Sequence, residues 1–267
     1  MSMTFEKNSF NKRLKSMLSV DFKRMFKTPL FYIMIGISLV MPILILVMTT
    51  MMDGMVSVNP QTGVETVIEG FKNVWQIIGS VSGGEQAMSM DITSMCNINM
   101  MFFVIAVFVS IFVTDDFRSG YAKNLFTVRA KKSDYAISKA VVCFVAGACM
   151  IVAFFVGAMI GGAISGLPFA LEGVTGFQVA MCVLSKMVLV GIFIAIFMFA
   201  SVVAKQKLWL ALILSLGIGM LFFTMVPIIT PLNAGIMNLV LCVAGSVGFV
   251  ALFSWLSTIM LNKVDIL

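Results

Sequence analysis

Residues 30–52 run for about 23 positions without a charged side chain, and comparable apolar runs recur almost to the end of the chain. An α-helix needs roughly 20 residues to cross the ~30 Å hydrocarbon core of a bilayer, so each run is long enough to be a membrane span. Composition agrees, because 60% of the residues are hydrophobic and 11% charged, against roughly 25% charged in a soluble domain. The 267 residues leave room for about six spans with modest loops and for no large soluble domain. The fold expected is an all-α integral membrane protein with six transmembrane helices.

The charged inserts orient these spans. The longest, DDFRSGYAKNLFTVRAKKSDYAISK over residues 115–139, carries Arg118, Lys123, Arg129, Lys131, Lys132 and Lys139 against Asp115, Asp116 and Asp134. A basic excess in a short loop marks the cytoplasmic side. Before the first span, Phe10, Leu14, Met17, Leu18, Phe22 and Met25 form a helical stripe flanked by lysines, as expected of a basic amphipathic helix lying in the inner interface. Asp21 falls on the apolar face, where Arg24 could partner it. Thr28-Pro29 ends that helix.

The spans are placed at about 30–52, 97–113, 134–164, 186–204, 208–226 and 235–261, with an external loop at 53–96. In that loop acids outnumber bases. After a turn at 59–63, Val64, Ile68, Phe71, Trp75 and Ile78 suggest a short helix on the outer leaflet. Residues 79–84 read as a flexible joint. Ser133 is the expected N-cap of the third helix. Gly157 with Gly161, and Gly162 with Gly166, allow close helix approach. Lys186 would be costly inside a span, so the fourth span is started there, with the ammonium at the outer interface and residues 173–185 external. Sixteen of the eighteen Lys and Arg then lie inside, Lys72 and Lys186 being the exceptions, and both termini are cytoplasmic.

Several chemistries fall away. The chain has no histidine, which excludes a Ser-His protease and an intramembrane zinc protease of the usual ligand sets. The five cysteines form no CxxC pair and read as filler. No catalytic residue and no metal ligand is assigned. Met88, Met90, Met95 and Cys96 could offer soft sulfur to Cu(I), but the 24 methionines are spread through every span and these are taken as background. The leader lacks a cleavable signal pattern. Clustered basic residues at membrane edges suit anionic lipid rather than nucleic acid. No charge lies deep in a proposed span, which disfavours a gradient-driven transporter. No GxxxxGK[ST] occurs, so energy for active transport must come from a partner.

With these parts in place the chain resembles the permease subunits of type-2 ATP-binding-cassette (ABC) exporters along its whole length. The resemblance lies in the leader ending in DFKRMFKTPLFY, the external loop, and above all the second span running into residues 115–139. Similar permeases carry an acid, a glycine, a basic residue, a tyrosine and a lysine there, matched by Asp115 or Asp116, Gly120, Arg129, Tyr135 and Lys139. The resemblance implies an N-terminal elbow helix and a cytoplasmic coupling helix that docks on a separate ATPase, which would hold ATP and Mg. Candidate coupling residues are Arg118, Gly120, Tyr121, Lys123, Leu125, Val128 and Arg129; Tyr121, Leu125 and Val128 share a helix edge. It also implies dimerisation with a second copy or a similar permease. The second and fifth spans would line the pathway, with Asn99, Phe103, Val107, Met220, Phe223 and Thr224 as candidate lining positions. Flexible Met and Phe side chains suit a hydrophobic or amphipathic cargo such as a peptide, drug or lipid-like molecule. The alternatives are a non-transporting sensor or assembly subunit and a secondary transporter.

Overall fold

The computed structural model describes residues 10–58, 65–81, 96–127, 131–171, 173–223 and 225–263. Helix α1 (Phe10–Lys27) buries Met17, Asp21 and Met25, one side of the sequence stripe. Thr28 is extended and Pro29 opens α2 (Pro29–Met52), as the steric limits around an X-Pro bond require. Helix α2 buries Phe31, Met34, Ser38, Pro42, Leu46 and Thr49, a single helical stripe. Its remaining surface exposes Tyr32, Ile33, Ile37, Val40, Leu44 and Met48. A helix apolar on both faces yet covered on one suits a periphery against lipid.

The segment after α2 departs from expectation. Strand β1 (Val56–Val58) pairs antiparallel with β2 (Glu65–Val67), Val56 opposite Val67 and Val58 opposite Glu65. Short valine- and threonine-rich runs fit a pleated ribbon better than a helix. The expected helix at 64–78 is therefore replaced by a strand and a 3-10 turn, Val74–Ile77, capped by the Asn73 side chain. Phe71, Val74, Ile77 and Ile78 are buried rather than laid on a leaflet. Trp75 Nε1 donates to the Phe169 carbonyl at 3.1 Å and Asn73 Nδ2 to that of Ala170 at 2.6 Å. The turn at 59–63 and Met88, Met90 and Met95 lie outside the described residues.

A 3-10 turn (Ile98–Met100) leads into α3 (Met101–Arg118), which extends past the expected end at 113. Gly120, at φ +73°, turns the chain into α4 (Tyr121–Thr127); a left-handed backbone there favours glycine. Helix α5 (Lys132–Ser165) starts after Lys131, so Ser133 lies inside it, with Asp134 in the first turn. Its C-cap is Gly166 at φ +69°, so that glycine serves as a cap rather than at a helix crossing. The close approach is made by its neighbours: a Cβ on Gly157 would fall 2.1 Å from the Leu39 carbonyl oxygen, and one on Gly161 2.8 Å from Ile43 Cα. Helices α2 and α5 thus cross backbone to backbone.

Helix α6 (Gly176–Ala204) begins at a capping box formed by Thr175 and Gln178, well before the position expected from Lys186. It is the most enclosed of the long helices. Helices α7 (Leu208–Phe223), α8 (Val226–Ile229) and α9 (Ile236–Lys263) complete the chain. Five of the described helices are long and apolar enough to cross a membrane: Pro29–Met52, Ile98–Arg118, Lys132–Ser165, Gly176–Ala204 and Ile236–Asn262. Helix α7 is apolar but has 16 residues.

Candidate functional site

Four elements converge at the end of the bundle that carries α1 and α4. Asp21 from α1, Asp116 near the end of α3 and Lys139 from the second turn of α5 are fully buried. Lys139 Nζ lies 2.9 Å from Asp21 Oδ1 and 2.8 Å from Asp116 Oδ2. Arg24 Nη1 reaches Asp116 Oδ1 at 2.6 Å. Tyr135 Oη donates to Asp116 Oδ2 at 2.9 Å and Ser138 Oγ to Asp21 Oδ2 at 2.6 Å. From α4, Tyr121 Oη points to Asp21 Oδ1 at 3.4 Å while the Arg24 guanidinium stacks on its ring at 3.8 Å. Two cations balance two carboxylates, and each carboxylate oxygen has a partner.

Only such balance makes a buried ionic cluster tolerable, because each charge alone would lose several kcal/mol of hydration. Burial would pull the Arg24 guanidinium down, but Asp116 more than offsets this and leaves it raised. Burial and Asp21 push the Tyr121 phenol up, keeping it a proton donor. A second ion pair, Arg13 Nε to Asp134 Oδ2 at 3.0 Å, ties α1 to the start of α5. Lys132 Nζ donates to the Leu261 carbonyl at 2.5 Å, drawing in the end of α9.

The expected partnership of Arg24 with Asp21 is not made: Arg24 bonds Asp116, and Asp21 bonds across to α5. Of the positions matched by resemblance, Asp116, Tyr135 and Lys139 come together, whereas Asp115 is exposed. Tyr121 joins them. Lys123, Asn124 and Thr127 form the exposed side of α4, and Arg118 is also exposed. Leu125 is half-buried and packs with Phe126 on the chain's own core. Val128 and Arg129 lie outside the described residues. Asp21 was the missed member, although an acid on an apolar helix face is itself the sign of a buried cationic partner.

At the opposite end of α3 the candidate lining positions separate. Phe103 and Phe223 meet with ring centroids 5.0 Å apart, joining α3 to α7, and Ser110 Oγ donates to Ser215 Oγ at 3.0 Å nearby. Val107 is half-buried, Met220 is exposed, and Thr224 is outside the described residues. Asn99 is buried, and its Oδ1 accepts from Lys186 Nζ at 2.8 Å; Thr230 Oγ1 accepts from the same ammonium at 2.9 Å. Lys186 is fully buried, not at an interface. Its two oxygen partners offset a burial that costs roughly 2.5–3.5 kcal/mol on the insertion scale. Neither lysine was expected to be buried.

Long apolar helices around a charge-balanced polar knot define a multi-pass membrane protein. The sequence model of the family described as "ABC-2 family transporter protein" matches residues 17–222, most of the chain, from α1 through both buried lysines to α7. The chain belongs to that family and is a permease of an ABC transporter, a class that normally works with a separate ATPase subunit. No curated protein and no solved structure matches it significantly.

Proposed function

We propose that this chain is a six-span permease that exports a hydrophobic or amphipathic molecule using ATP hydrolysed, with Mg, on a separate subunit. Helix α7 is the fifth span: 16 residues rise about 24 Å, and α8 follows directly. Helix α1 is the elbow and α4 the coupling helix, both cytoplasmic with the termini, and the working unit pairs two permeases in the cell membrane. The observation that carries this reading is the buried network. It locks α4 to α1, α3 and α5 through Tyr121, Asp21, Asp116 and Lys139, so a displacement of α4 moves the ends of two spans instead of flexing a loop.

Co-purification tests it. A tagged chain expressed from its native genomic context should bring down a soluble ATPase carrying a phosphate-binding loop. The pair, reconstituted in liposomes, should hydrolyse ATP faster than the ATPase alone. Recovery without any ATPase would support a sensor or assembly role.

A further inference from the structure

The two buried lysines are treated differently. Lys139 sits between two carboxylates, whereas among the described residues Lys186 meets only the neutral oxygens of Asn99 and Thr230. An ionisable group kept inside a membrane protein without a counter-charge is a functional site by default. Neutral acceptors are also replaceable ones: an incoming anion can take the place of Asn99 or Thr230 without leaving a buried charge unpaired.

The cover beside Lys186 is built on Cys182, whose thiol reaches the carbonyl of the same Thr230 at 3.6 Å. Cys182, one turn earlier on α6, lies against Gly79, where an added Cβ would be 3.6 Å from its sulfur and 3.5 Å from the Leu232 nitrogen. Leu232 N–H in turn donates to the Ser80 carbonyl at 2.8 Å. Beyond that layer is a cavity of about 410 Å³ lined in part by Trp75, Gln76, Gly79, Ser80 and Leu232. Its wall combines apolar and polar groups, and it shares Gly79 and Leu232 with the cover.

We infer that Lys186 receives the anionic group, a carboxylate or phosphate, of an amphipathic cargo once Asn99 and Thr230 draw apart. This rests on the permease reading and gives its cargo a charge. Asn99 lies just before the same helix whose last turn carries Asp116, so movement imposed at α4 reaches the Lys186 contact through α3.

The test is thermal unfolding of the purified full chain in dodecyl maltoside with laurate, acetate or dodecyltrimethylammonium added. Laurate should raise the wild-type Tm by several degrees, and the other two should not. Lys186→Arg should retain the laurate shift and Lys186→Met should lose it. Asn99→Ala should enlarge it, because the ammonium then has a free donor. An equal laurate shift in Lys186→Met, no shift in the wild type, or a shift in Asn99→Ala no larger than wild type would each overturn the proposal. An equal response to acetate would overturn the amphipathic class. None of these readouts involves the ATPase, so failure here leaves the permease reading standing, and failed co-purification leaves the anion shift standing.

Discussion

Lys139 is the side chain on which the polar knot depends, because it faces both buried carboxylates at once. Lys139→Met would leave Asp21 and Asp116 short of a cation and should destabilise the protein by about 3–5 kcal/mol. Tyr135→Phe removes one hydrogen bond to Asp116 and should cost about 1.5–3 kcal/mol, as for bonds to charged groups. Unfolding of the purified variants measures both, and Asp21→Asn added to Lys139→Met should recover part of the loss. A Lys139→Met protein as stable as wild type would show that the knot contributes nothing. Individual residues were the least legible level of the sequence. The motif around 115–139 pointed to Asp116, Tyr135 and Lys139, but Asp21 bonds Ser138, 117 positions away, and the neighbouring Lys139, partners that could not be seen locally. Lys186 was misplaced for the same reason: its acceptors stand 87 and 44 positions away, so hydropathy alone made it a boundary.

Elements were easier to read, because a run of apolar residues long enough to span has few other stable forms in lipid. Helices α2, α5 and α9 lie close to the bounds expected of the first, third and sixth spans, and the glycine spacing on α5 marked a real crossing. What failed were ends set by local bonds: the capping box that starts α6, the strand pair after α2, and the early end of α7. The crossing of α2 and α5 has a direct test. Gly157→Leu would drive a side chain into the Leu39 carbonyl and Pro42, an overpacking expected to cost about 1–3 kcal/mol or more. At Gly36 an added Cβ meets nothing within 4 Å, so Gly36→Ala should be neutral or stabilise by about 0.5–1 kcal/mol through helix propensity. Loss of folded protein in Gly36→Ala but not in Gly157→Leu would mean the helices cross elsewhere.

At the scale of the whole molecule, α3 connects both polar sites, with Asp116 near one end and Asn99 at the other, about 25 Å apart along the helix. Orientation decides which end faces the side of the membrane that holds the ATPase. In a background without native cysteines, Ser82→Cys should react with an impermeant maleimide on intact cells and Ser119→Cys only after lysis; labelling at 119 in intact cells would reverse the topology. The central claim, that α4 carries energy from the ATPase into the spans, is tested most directly on its exposed face. Lys123 and Thr127 are exposed, so Lys123→Glu with Thr127→Glu reverses the charge of that face without entering the core. With unfolding temperature unchanged, the double variant should lose ATPase co-purification and at least tenfold of the stimulated hydrolysis in liposomes, while Lys131→Ala should keep both. Full binding and full stimulation in the double variant would contradict the assignment of α4 as the coupling helix.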